Sequence, residues 1–190
     1  MTLTIATLAF FLVVPVDRPP ALDGSPSTLA PVGECRRRDP HIRATVPALA
    51  DALAAGVRDS PTLKALVDRI EASDLLVYLT FDHRPAASTA GHIAWMTAAG
   101  GRRYVRLAVN PRYERWQRIA ILGHELRHAV EIAEAVSVTD QRSLERLYRR
   151  IGFSSGERSF ESAAAIAAGQ QVHEEMRHSH GARATATPER

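Results

Sequence analysis

An α+β domain is predicted by the order in which hydrophobic periods change along the 190-residue chain. Two segments of helical period come first, three short β-prone runs follow, and three segments of helical period close the sequence. Turn chemistry agrees: Ser60-Pro61, Gly100-Gly101 and Asn110-Pro111 stand where one period gives way to another. The expected arrangement is a short, mostly antiparallel sheet packed against one long helix, with two further helices C-terminal to it.

Val46, Leu49, Ala50, Leu53 and Val57 recur at helical spacing and define the first helix. Ser60 then offers a side-chain cap and Pro61 a pre-set first helical residue, so Leu63, Leu66, Val67 and Ile70 line a second helix. The run LeuLeuValTyrLeuThrPhe at 75–81 is short and β-prone, which predicts a strand. Gly91–Thr97 and Arg103–Val109 predict two more, joined as a hairpin through Gly100-Gly101. Asn110-Pro111 ends the sheet and opens a helical segment to about Val136. A second helix covers roughly Asp140–Ile151, and a third is expected from near Ser159 to about Met176.

The flanks read differently. The first sixteen residues are apolar and uncharged, short of the roughly 20 residues a membrane span needs. Residues 1–20 are therefore expected to be an export signal or membrane tether, which predicts a periplasmic or extracellular protein. Residues 21–43, rich in Pro, Gly and Ser, read as a linker, and 178–190, without an apolar period, as a disordered tail. That leaves 44–177 as the folded domain.

Composition narrows the chemistry. A single cysteine, Cys35, excludes an intrachain disulfide framework and a Cys-rich zinc knuckle, so any metal must be held by nitrogen and oxygen. The net charge is only +3, and every basic residue but Lys64 is arginine. The clusters Arg36-Arg37-Arg38, Arg102-Arg103 and Arg112/Arg115/Arg118 suit a solvated surface, and no groove-reading motif accompanies them. No nucleic-acid partner is expected. Trp95 and Trp116 read as core or groove-wall aromatics.

One motif carries chemistry. Residues 124–128 read HELRH, the H-E-x-x-H pattern. On a helix, His124 and His128 stand one turn apart on one face, within reach of a single zinc ion. Glu125 lies about 100° round the helix, beside the metal, where it can act as general base toward metal-activated water. On a helical wheel Ile119, Leu122, Leu126, Ala129, Val130 and Ala133 gather on one side and the histidines on the other. The apolar side anchors the helix, and the histidines face a cleft or another element.

A catalytic zinc wants a third protein ligand. Glu131 shares the histidine face but stands about 10.5 Å along the axis from His124, too far for one ion to bond both. It suits a role behind the metal, orienting a ring nitrogen of His128. Glu161 is the better ligand: counted from it, Ala165, Ala168, Val172 and Met176 share one helical face. A carboxylate on a small, apolar face needs a cation or a donor. The competing reading of Glu161 is a first-turn glutamate favoured by the helix dipole. Tyr148, His173 and Arg127 are the available oxyanion donors, and nothing in the sequence ranks them.

His124-Glu125-x-x-His128 with a downstream glutamate resembles the gluzincin class of zinc metallopeptidases. More narrowly, GHELRHAVEIAEA, SDLLVYL, RRYVRLAVN and FESAAA resemble a group of uncharacterised bacterial exported metalloproteases, over residues 45–175. Glu131 and Glu134, where metzincins carry Gly and His or Asp, exclude that class. The resemblance implies a zincin-like domain over 44–177 and an edge strand that hydrogen-bonds an extended substrate, for which Arg103–Val109 is the candidate. It also implies an E-x-x-x-D motif whose Asp supports a histidine. Here Glu161 is followed by Ser162, Ala163, Ala164 and Ala165, so that support must come from Glu131 or a backbone carbonyl. The expected function is zinc-dependent hydrolysis of a peptide or protein substrate. The alternative is a non-catalytic zinc-binding module that docks a partner protein.

Overall fold

The computed structural model describes residues 39–83, 90–156 and 159–185. The expected export segment, most of the expected linker and Cys35 lie outside these residues. The described chain is α+β, as the sequence predicts, with five helices and a four-stranded sheet. In chain order the elements are β1 (Ile42–Ala44), α1 (Pro47–Asp59), α2 (Pro61–Glu71), β2 (Leu75–Phe81), β3 (Gly91–Ala99), β4 (Arg102–Val109), α3 (Arg115–Glu134), α4 (Gln141–Ile151), β5 (Phe153–Gly156), β6 (Ser159–Glu161) and α5 (Ala163–Thr185).

Local chemistry sets the helix starts. The Ser60 hydroxyl accepts the Leu63 N–H at 3.0 Å, with Pro61 behind it. Glu114 and Gln117 form a reciprocal capping box at the start of α3, and Asp140 caps α4 through the Ser143 N–H at 2.7 Å. Gly100 and Gly101 take φ of 58° and 71°, the left-handed conformation that a two-residue hairpin loop requires, and β3 and β4 pair antiparallel around them.

The sheet corrects one expectation. Its strand order is β1-β2-β4-β3, with β1/β2 and β2/β4 parallel and only β3/β4 antiparallel, so it is not mostly antiparallel. The cause is nonlocal. Helices α1 and α2 form a crossover that returns the chain to pair β2 in parallel with the short β1. The hairpin then inserts β4 beside β2, because Val105, Leu107, Ala108 and Val109 are buried whereas the second half of β3 is exposed. The edge strand on this side of the sheet is therefore β3, and Arg103–Val109 is an inner strand.

Helices α1, α2, α3 and α5 surround a core of Leu49, Leu63, Ile70, Leu79, Leu107, Ile119 and Leu126, all 2% exposed or less. Helix α5 is longer than expected: its backbone continues through the stretch read as a tail to Thr185. Its Glu175 carboxylate docks on the start of α2, accepting from the Thr62 hydroxyl at 2.7 Å and from the Ser60 hydroxyl.

Arg103, read from sequence as part of a basic surface cluster, is buried at 4% exposure. It holds Asp74 in two hydrogen bonds of 2.6 and 2.8 Å. Those bonds hold the Asp74 carboxyl below the usual carboxylate range, against a smaller opposing effect of burial. A lowered folded-state value stabilises the fold above the unfolded value of about 3.9, and this contribution disappears as pH falls through the folded value. Denaturant midpoints should therefore drop between about pH 5 and pH 3, and drop less in Asp74→Asn. An equal drop in both proteins would show that Asp74 carries none of it.

Candidate metal centre

The apolar side of α3 fixes how its polar side is presented. Ile119, Leu122, Leu126, Ala129, Val130 and Ile132 are buried in the core. The opposite face is covered by other elements: His128 is 4% exposed and Glu131 7%. Helix α5 runs antiparallel to α3 at close range because of two glycines. A Cβ on Gly123 would lie 2.6 Å from a Val172 methyl, and one on Gly169 would lie 3.1 Å from the His124 Cβ. The expected apolar face of α5 is present, with Ala165, Val172 and Met176 buried. Glu161, however, does not lie on that helix. It ends β6, two residues before α5 begins, so a first-turn dipole does not account for it.

Three side chains converge. The Nε2 atoms of His124 and His128 lie 3.2 and 3.1 Å from the same Glu161 oxygen, Oε1. The imidazole rings meet edge to face with centroids 5.0 Å apart. One ligand atom from each residue lies within 4.8 Å of the other two, so the group can hold a metal ion. The donor set suits a divalent cation: bonds of about 2.0–2.2 Å in a tetrahedron separate donor atoms by about 3.4 Å. The Ser162 backbone N–H also donates to Oε1 at 3.0 Å and orients the carboxylate.

Behind the cluster, Glu131 takes the place anticipated for it. Its Oε2 accepts from His128 Nδ1 at 3.0 Å, which fixes the imidazole ring with Nε2 directed at Glu161. Its Oε1 accepts from the Ser162 hydroxyl at 2.7 Å, and the Arg127 guanidinium stands 3.7 Å away. Burial alone would raise the Glu131 carboxyl, but the bonds from His128 and Ser162 outweigh it and hold the carboxyl low. Burial likewise opposes the charged form of His128, yet the bond to Glu131 and the surrounding carboxylates lift its value. His124 moves the other way, lowered by burial with the His128 charge adding to it, against the opposing pull of Glu161.

Glu125 points to a different neighbour. It is 5% exposed, has no hydrogen-bond donor among the described residues, and rests against β3, where a Cβ on Gly91 would lie 2.8 Å from its Oε1. Burial pushes its carboxyl up to about 7, the His128 charge opposing and the Glu161 charge adding. Such a group exchanges a proton near neutrality.

The three oxyanion candidates have other partners. Tyr148 is buried, its hydroxyl donating to the His128 carbonyl at 3.3 Å and its ring edge-on to that imidazole. Arg127 faces Glu131, and His173 stacks on Trp116. Sequence reasoning missed Ser162, although a serine directly before an alanine-rich helix is a capping signature. Its oxygen accepts the Ala165 N–H at 3.0 Å while its proton goes to Glu131. Ser162→Ala removes both bonds and should cost about 2 kcal/mol by denaturant titration. It should also weaken metal binding about tenfold, because Glu131 loses one of its fixed partners. Unchanged metal affinity would make Ser162 a helix cap alone.

Compared with models of protein families, with curated proteins and with solved structures, the chain matches none.

Proposed function

We propose that this protein is a zinc-dependent peptidase, with His124, His128 and Glu161 as metal ligands and Glu125 as general base. The observation that carries the reading is the convergence of both Nε2 atoms on one Glu161 oxygen. Beside this cluster a buried carboxyl, Glu125, has no hydrogen-bond donor among the described residues and stands next to a sheet edge. A purely structural metal site has no use for Glu125, whose burial costs stability. Bound zinc supplies Lewis acidity, which activates water near neutral pH and polarises a carbonyl.

The protein's own residues do the rest. Glu125 accepts a proton on its carboxylate and returns it to the leaving amine, a task suited to a group whose proton affinity lies near neutrality. Glu131 and Ser162 hold the His128 ring in one tautomer and orientation. Strand β3 pairs with β4 on one side, and no strand pairs with its other edge among the described residues. Its backbone can accept an extended peptide as an added strand, with Gly91 bringing that peptide to Glu125. This gives β3 the role that the family resemblance implied for Arg103–Val109.

Elemental analysis of the purified protein, with hydrolysis of a broad peptide library, tests the reading. One zinc per chain is expected, with chelator-sensitive cleavage, and both should be lost in His124→Ala and Glu161→Ala. Full zinc affinity in Glu161→Ala would remove Glu161 from the ligand set. Stoichiometric zinc without turnover would favour the alternative of a partner-docking metal module.

A further inference from the structure

We propose that a second site, separate from the His124–His128–Glu161 cluster, binds small organic anions with a flat apolar body. A cavity of about 540 Å³ lies between α1, the first turns of α3 and the second half of α5. That volume falls in the range of small-molecule sites, roughly 300–1,000 Å³. None of its lining residues belongs to the metal centre.

The lining specifies the ligand. Ile119 and Met176, both 2% exposed, form an apolar floor. Trp116 and His173 form an aromatic wall with ring centroids 5.2 Å apart, and Trp116 is 40% exposed, unusual for so large an apolar group. The Trp116 Nε1–H donates to Glu114 at 3.3 Å, which fixes the ring. A flat hydrocarbon or heteroaromatic body fits between this wall and the floor.

The rim supplies charge. Three guanidiniums, Arg58, Arg115 and Arg177, line the cavity against one carboxylate, Asp59. Arg58 already pairs with Asp59 at 3.0 Å. Arg115 reaches only the Asp51 carbonyl, at 3.4 Å, and neither Arg115 nor Arg177 has a carboxylate partner among the described residues. Two guanidiniums at the mouth of an apolar cavity favour a carboxylate, sulfonate or phosphate on the ligand.

The probe is 2-naphthoate, with 2-naphthylmethanol as its uncharged counterpart and inorganic phosphate as the bare anion. The chain has two tryptophans, so Trp95→Phe leaves Trp116 as the sole indole reporter. Saturable quenching of Trp116 fluorescence by 2-naphthoate is expected at submillimolar concentration, with binding of the alcohol weaker by about tenfold or more. Arg115→Ala/Arg177→Ala should weaken 2-naphthoate to the level of the alcohol while leaving circular dichroism and melting temperature unchanged. Absence of saturation, equal affinity for acid and alcohol, equal affinity for bare phosphate, or an unaffected double variant would each overturn the proposal.

Discussion

Glu125→Gln should abolish most peptide hydrolysis, by about 10²–10⁴-fold, while zinc stoichiometry stays at that of the parent protein. The substitution keeps shape and hydrogen-bonding capacity but removes the base. It differs from His124→Ala in kind: the histidine variant should lose metal and activity together, the glutamine variant activity alone. Stability provides an independent readout. Burial holds the Glu125 carboxyl at about 7, so at higher pH the folded state carries a buried charge. A carboxyl raised in the folded state destabilises the fold progressively as pH climbs from its unfolded value through its folded one. Glutamine escapes this cost, so the inactive variant should melt at the same temperature as the parent or higher at pH 8. Hydrolysis within twofold of the parent would remove Glu125 from the mechanism, whatever the melting curves show.

What could be read from the chain divides along the range of the interaction. Ser60-Pro61, the α3 periodicity and Gly100-Gly101 are local signals, and each fixes its element through backbone chemistry within a few residues. His124, Glu125 and His128 belong to the same class, because a helix sets their relative directions without help from the rest of the fold. Glu161 was reachable through the energetic argument that a carboxylate on an apolar helix face needs a cation, although it ends β6 and does not lie on that face. The element carrying it was not. β5 and β6 span four and three residues, too few to show a period, and their pairing is what brings Glu161 to the histidines. Strand β1 is equally short, and its parallel pairing with β2 depends on a crossover through two helices. A helical wheel places Glu131 on the histidine face, but it cannot say which element covers that face. The bond from Ser162 to Glu131 therefore appears only in three dimensions.

Arg103→Met should be the most destabilising single substitution considered, by about 3–5 kcal/mol, a large part of the roughly 5–15 kcal/mol that holds a domain of this size together. Helix α3 ends with carbonyls that have no intrahelical partner. Arg103 satisfies them from the sheet: Nη1 donates to the Ile132 and Ala135 carbonyls at 2.7 and 2.9 Å, and Nη2 to the Ala133 carbonyl at 2.8 Å. Its charge also meets the negative end of the helix dipole. The Asp74 side chain is 42% exposed, so the ion pair itself is solvent-screened, and the larger loss comes from carbonyls stranded out of water. Methionine fills the volume and restores none of these bonds. Lysine should recover less than half, because a point charge cannot serve Asp74 and three carbonyls at once. Denaturant titration gives the size of the effect, and zinc titration its reach. Ile132 directly follows Glu131 and lies one turn beyond His128, so fraying at this end should weaken metal binding as well. A loss below about 1 kcal/mol would show that water replaces the guanidinium at the end of α3.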